Sequence, residues 1–177
     1  MEDYTEPTFA DIHPVSQYTS DIEFDVTGGE LMPIYRGNWY DSESDVWFVH
    51  MIEQRNGFNG VYLLFDFLVP RSNGGFENKD GFVGEYTLLD PNAESWDYTF
   101  PAGRLRDDSM QLHAWYAKCV SGQVDMSQAA PVTAGTIKVE KDGDGYILTV
   151  DGKDDNGNNI KGTFRGRAND YQNQAHD

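Results

Sequence analysis

The 177-residue sequence is the size of one domain, and a chain of this length buries enough surface on folding to need no disulfide. Thirty acidic residues against thirteen basic ones give a formal net charge of −17. This argues against binding to duplex nucleic acid or to an anionic membrane surface, because both need clustered Lys and Arg. The excess of negative charge favours solubility, and it also favours the binding of cations or of basic partners. Hydrophobic residues make up only 38%, but an aromatic share of 14% predicts an aromatic-rich core.

Strand patterns begin after an irregular N-terminal segment. Residues 1–20 contain two prolines and no steady hydrophobic period, so we predict an extended tether. In Asp21–Val26 acidic and apolar residues alternate, which predicts a half-buried strand with its acids outward. A turn at Gly28-Gly29 then leads to a poorer strand, Glu30–Tyr35, which Pro33 places at an edge or a bulge.

The strongest strand signals are Asp45–Glu53 and Gly60–Val69 in the middle of the chain. Both are apolar on both faces, which predicts central strands or barrel strands whose outer face is also covered. Phe82–Leu89 and Met110–Val120 are further predicted strands, and Cys119 in the second is expected to be an inert buried thiol. Residues 70–81 and 121–132 are predicted loops, whereas 90–106 is a long irregular connection that is either a functional loop or holds a short strand.

A β-meander between Gly135 and Gly166 closes the sequence. Its predicted strands are Thr136–Glu140, Tyr146–Asp151 and Ile160–Arg165, and the turns between them are rich in Asp, Asn and Gly, which tight hairpins need. With turns roughly every 8–12 residues and no convincing helix, the chain is predicted to be all-β. We expect an antiparallel β-sandwich or β-barrel of about 8–10 strands over residues 21–168, with a polar tail at 169–177.

Aromatic side chains beside acids are the first candidate for a binding site. Exposed rings can stack on a sugar while neighbouring acids bind its hydroxyls, although the same rings could instead build the core. Trp39 and Trp96 lie in turn-like settings and are expected to be exposed, whereas Trp47 is expected in the core. The candidate ligand-binding residues are Tyr35, Trp39, Tyr40, Asp41, Trp96 and Tyr98.

The turns of the meander are a candidate cation site. Asp142, Asp144, Asp154 and Asn156 offer the oxygen ligands that Ca²⁺ prefers. However, no Glu sits where a calcium-binding loop requires one, and hairpin turns need Asp, Asn and Gly in any case. We therefore expect turn chemistry there, with no metal and no other cofactor.

Catalytic motifs are missing from the sequence. His50 and Glu53 are three residues apart on one strand and so face opposite sides, and His113 is expected to have no companion acid nearby. No nucleophile elbow, phosphate loop or Cys-x-x-Cys is found. We expect a protein that is not an enzyme, with a glycosidase-type pair of carboxylates as a weaker alternative.

The run Gly135–Gly166 resembles the closing meander of secreted or surface lipoproteins of Bacteroidota-type bacteria, a group described as adhesin-like or of unknown function. Upstream, Ile22–Val26 resembles the opening strand of that group, Ile34–Tyr40 its aromatic turn and Val83–Leu88 its Gly-x-Tyr-Thr strand. The likeness covers most of residues 21–166.

The resemblance implies a mature outer-membrane-anchored lipoprotein at the cell surface or in the periplasm. Its leader and lipidated cysteine would precede residue 1, and the lipid anchor would be its only contact with the membrane. The function expected is non-catalytic binding of a glycan or of another surface protein, as an accessory to nutrient capture or adhesion. The alternative is a structural or assembly subunit of an outer-membrane complex, bound through an edge strand, and a carbohydrate-active enzyme is the weaker one.

Overall fold

A computed structural model of the chain describes residues 14–107 and 110–175. Within these ranges the chain is almost entirely β-structure, with two one-turn 3₁₀ helices at Arg71–Asn73 and Gly75–Glu77. The strands are β1 Ile22–Gly37, β2 Ser44–Gln54, β3 Asn59–Pro70, β4 Gly84–Leu88, β5 Thr99–Phe100, β6 Arg104–Leu105, β7 Gln111–Leu112, β8 Ala114–Val120, β9 Gln123–Pro131, β10 Ala134–Asp142, β11 Gly145–Lys153, β12 Asn159–Ala168 and β13 Gln172–Asn173. None of the helices in the described ranges is long and apolar enough to cross a membrane.

Eight strands close into a barrel in the order β1–β2–β3–β5–β4–β10–β11–β12 and back to β1. The all-β prediction is confirmed, and of the two architectures left open the chain adopts the barrel. The pairs β1–β12 and β4–β5 run parallel, so the barrel is mixed and not wholly antiparallel. A closed ring of eight strands must contain an even number of parallel pairs. The parallel pair β4–β5 therefore requires a second parallel pair, which is β1–β12, the pair that closes the ring.

The first barrel strand is one long element where the sequence predicted two strands and a turn. β1 continues through the predicted turn with a β-bulge between Val26 and Gly29 in its pairing with β12. Gly28 supplies a positive φ of 73°. A Cβ on Gly29 would lie 2.4 Å from the ring of Phe164. The two glycines thus serve a bulge and a close packing contact.

The predicted loop 121–132 is also wrong, because it contains β9, which pairs with β8 at one end of the sheet. β9 carries its own bulge, in which the Asp125 carboxylate accepts hydrogen bonds from the N–H and Oγ of Ser127 and from Nε2 of Gln128. A bulge of this kind twists an edge strand away from strand addition. The connection 90–106 holds the short strands β5 and β6, in agreement with one of its two predicted alternatives.

The barrel interior is filled by side chains. In the meander, Tyr146, Leu148 and Val150 on β11 and Ile160 and Phe164 on β12 point inward and are at most 1% exposed. These are the faces that the alternation of the sequence predicted. Trp47 on β2 joins the same core, as expected. Burial of each such side chain stabilises the fold by about 1.5–3 kcal/mol.

A second apolar cluster covers the outer face of β2, β3 and β8. It contains Ile52, Leu64 and Trp115, each at most 4% exposed, and Cys119. β2 and β3 are therefore barrel strands with a covered outer face, which was one of the two predicted arrangements. Cys119 is buried as expected, and burial raises the pKa of its thiol to about 11.

Both terminal segments contact the barrel where they are described. The backbone N–H groups of Val15 and Ser16 donate to the Asp155 carboxylate at 2.6 and 3.0 Å. At the other terminus, Gln172–Asn173 pairs with Ile34–Tyr35 of β1, so this part of the polar tail is an added strand.

Candidate ligand-binding groove

A groove of about 350 Å³ lies between the turn that joins β1 to β2 and the connection from β4 to β5. It brings together two residues that the sequence predicted separately, Asp41 and Trp96. Its lining is completed by serines and further acids: Ser42, Glu43, Ser44, Glu94, Ser95 and Asp97.

Hydrogen bonds fix the two walls of the groove relative to each other. Ser44 Oγ on one wall donates to Asp97 Oδ1 on the other at 2.6 Å. Thr99 Oγ1 donates to the carbonyl of Trp96 at 2.6 Å and so ties the indole-bearing loop to β5. Asp41 has a positive φ of 54°, a conformation that Asp tolerates better than most residues. The groove is therefore largely pre-formed by contacts within its own walls.

The groove is acidic, because four of its side chains are carboxylates: Asp41, Glu43, Glu94 and Asp97. No Lys or Arg lines it within the described residues. Arg71 braces one wall by donating from Nη2 to the carbonyl of Ser42 at 2.7 Å. Acceptor oxygens around one indole suit a ligand that offers hydrogen-bond donors and a flat apolar face.

These acids do not form a metal centre. Among residues 14–107 and 110–175, no three His, Cys, Asp or Glu side chains are arranged to hold a metal ion.

A partly buried polar cluster adjoins the Asp41 wall. Tyr40 Oη donates to Asp66 Oδ2 at 2.5 Å and lies 3.0 Å from His113 Nδ1. His113 Nδ1 is in turn 3.0 Å from the same Asp66 oxygen. Asp66 is 3% exposed, so its hydrogen bonds lie where water competes little. Because Tyr40 precedes Asp41 directly, this anchor holds the turn that forms one side of the groove.

The expectation that His113 lacks a companion acid is wrong, because β3 places Asp66 beside it. The available signal was Asp66 itself, the one acid within the apolar run Gly60–Val69. His50 and Glu53 take no part in a catalytic pair: His50 Nδ1 is 2.8 Å from the hydroxyl of Tyr62. Burial, assisted by the positive charge of Arg36, lowers the pKa of His50 to about 4.

The other predicted ligand residues lie outside the groove. Tyr35 is 7% exposed, and its hydroxyl donates to Asp45 at 2.7 Å. Trp39 stacks beneath the guanidinium of Arg36, 4.5 Å from the ring centroid. Tyr98 is 38% exposed and packs against Tyr86. Trp39 and Trp96, which were expected to be exposed, are both half-buried.

The candidate cation ligands divide between two turns. Asp142 and Asp144 are exposed beside the β10–β11 hairpin. Asp154 is 4% exposed. Its carboxylate accepts hydrogen bonds from the N–H groups of Asn156 and Asn158, from Asn158 Nδ2 and from Ser16 Oγ. These four donors occupy both oxygens of Asp154, so turn chemistry and a tie to the N-terminal segment account for it.

Comparison of the chain with protein-family models, curated proteins and solved structures finds no match. The resemblance to surface lipoproteins therefore stays a prediction from sequence.

Proposed function

We propose that this domain is a non-catalytic glycan-binding module, and that it holds the sugar in the acidic groove at Trp96. The observation that carries the proposal is the meeting of Asp41 and Trp96 in one groove, each singled out from the sequence for sugar contact. The groove volume of about 350 Å³ falls within the range of small-molecule sites, about 300–1,000 Å³.

The chemistry of the groove supports a neutral or cationic sugar. The half-buried indole of Trp96 offers a face to the C–H side of a pyranose ring, and the carboxylates of Asp41 and Glu43 accept hydrogen bonds from hydroxyls. Four carboxylates in one groove repel sulfated or carboxylated sugars. The setting that we propose is a lipid-anchored protein of the cell surface or periplasm, on the strength of the resemblance alone.

A glycan array tests the proposal with three proteins: the wild type, Trp96→Ala and Trp39→Ala. Trp39→Ala is the matched control, because it also removes an indole but lies outside the groove. We expect Trp96→Ala to weaken binding about tenfold or more, as loss of a central aromatic contact does, and Trp39→Ala to retain binding. Absence of binding by the folded wild type, or equal loss in both variants, would remove the proposal.

Glycoside hydrolysis is the second candidate, favoured by the presence of several carboxylates in one groove. Asp41, Glu43 and Glu94 are exposed, which argues against the desolvated general acid that this chemistry needs. Release of reducing ends from oligosaccharides bound on the array, abolished in Asp97→Asn, would favour the enzyme over the binding module.

Assembly through an edge strand receives less support. The edge of β9 is bulged at Asp125, and the carbonyl of Ala129 on the same strand already accepts from the N–H of Gln17. Both features oppose addition of a further strand there.

A further inference from the structure

A second groove, of about 510 Å³, lies over the β1 bulge and shares no residue with the groove at Trp96. Gly28 and Gly29 of the bulge form part of its lining. Arg55, Arg165 and Arg167 contribute three guanidinium groups, although the chain as a whole is strongly acidic.

Two of these arginines differ from every other arginine of the chain. The sequence has seven. Arg55 pairs with Glu30 at 3.1 Å, Arg71 approaches Asp45 at 3.6 Å, and the three others outside this groove also have interaction partners. The side chains of Arg165 and Arg167 form no hydrogen bond and no ion pair with the described residues. Both unpaired guanidinium groups line the same groove.

The bulge explains why Arg165 lacks an acid. Before the bulge, β1 places Glu23 and Asp25 beside Lys161 and Thr163 of β12. The register is then interrupted between Val26 and Gly29, where the chain has Thr27 and Gly28 instead of another acid. On the other side of β12, the residue paired with Arg165 is Ile147.

Arg167 lies opposite an acid that is already engaged. Its partner in the register of β1 is Glu30, which accepts from Arg55 Nη1 at 3.1 Å and from Asn169 Nδ2 at 3.3 Å. The two guanidinium groups on β12 are therefore available to a ligand.

The remaining lining limits the ligand's charge. Glu53, Asp142 and Asp144 also border the groove, and their carboxylates would repel a dianion such as phosphate. The same oxygens accept hydrogen bonds from hydroxyl groups, while a guanidinium binds a carboxylate through two parallel hydrogen bonds. We infer that this groove binds an acidic sugar, with Arg165 and Arg167 on its carboxylate and Asp142 and Asp144 on its hydroxyls.

An NMR titration of ¹⁵N-labelled protein with D-glucuronate tests this inference, with D-glucose and inorganic phosphate as parallel ligands. We expect glucuronate to shift the amide signals of Gly28, Gly29, Arg165 and Arg167, with glucose and phosphate at least tenfold weaker. The double variant Arg165→Gln with Arg167→Gln should weaken glucuronate binding about tenfold or more, because a charge-assisted hydrogen bond is lost at each site.

The matched control is Lys138→Gln with Lys153→Gln, which removes the same charge from exposed positions outside the groove. Thermal unfolding verifies that every variant is folded. The inference is overturned if glucuronate leaves the four amides unshifted, if phosphate or glucose binds as tightly, or if the control weakens binding as much as the arginine pair. The indole signal of Trp96 reports separately on the other groove, so failure of one site is distinguishable from failure of the other.

Discussion

Replacement of Asp154 by alanine is expected to destabilise the barrel by about 3–5 kcal/mol. The buried carboxylate accepts four hydrogen bonds, of 2.9 and 2.8 Å from the N–H groups of Asn156 and Asn158, 2.9 Å from Asn158 Nδ2 and 2.6 Å from Ser16 Oγ. Hydrogen bonds to a charged group contribute about 1.5–3 kcal/mol each. Because the four hydrogen bonds share one carboxylate, their losses are not additive, and the expected total of about 3–5 kcal/mol is smaller than the sum over four separate bonds.

Urea denaturation followed by intrinsic fluorescence measures this loss. Asp144→Ala is the matched control, because it removes an exposed turn aspartate that was also a candidate cation ligand, and we expect a change within about 0.5 kcal/mol. Millimolar CaCl₂ should leave the wild-type midpoint unchanged. A loss below about 1 kcal/mol in Asp154→Ala, or a rise of the wild-type midpoint with Ca²⁺, would refute the assignment of this residue to the turn and to the N-terminal tie.

Three further predictions concern other polar and buried groups. Tyr40→Phe removes the hydroxyl bound to Asp66, so amide exchange in the β1–β2 turn should accelerate and a groove ligand should bind more weakly; unchanged exchange would contradict the anchoring role. Asp80 accepts a hydrogen bond from Tyr146, and this bond is the main cause of the lowered pKa of the Asp80 carboxyl group. The stability that ionised Asp80 contributes to the fold is therefore present above about pH 4 and is lost as the pH falls below it. The stability difference between wild type and Asp80→Ala should shrink accordingly, and a difference that grows in acid would be evidence against it. Cys119, with its pKa raised to about 11, should resist iodoacetamide at pH 8 in the native protein and react in urea; rapid native labelling would contradict its burial.

The parts of the fold that sequence predicted are those set by local alternation. In the meander, successive residues of each strand face opposite sides, so the pattern of Tyr146, Leu148 and Val150 alone identified the core face. The Gly28-Gly29 pair led to the wrong prediction of a turn, because two consecutive glycines are typical of turns. The reason for Gly29 is the ring of Phe164, which lies on a strand that is distant in sequence.

The candidate groove was only partly predictable for the same reason. Asp41 and Trp96 were each selected from local context, but their meeting depends on the parallel crossover between β4 and β5. Asp66 and His113 were missed as a pair because the register of β3 with β8 brings them together across 47 positions. Long-range pairing of this kind leaves no periodic trace in a sequence.

The most direct test of the proposed function is a titration of the best glycan from the array, monitored by NMR at the indole N–H of Trp96. Binding in the groove predicts a saturable shift of that signal. It also predicts that the dissociation constant, measured by calorimetry, is about tenfold or more larger for Trp96→Ala than for the wild type. A glycan that binds the folded protein without moving the Trp96 signal, with equal affinity for Trp96→Ala, would contradict the account.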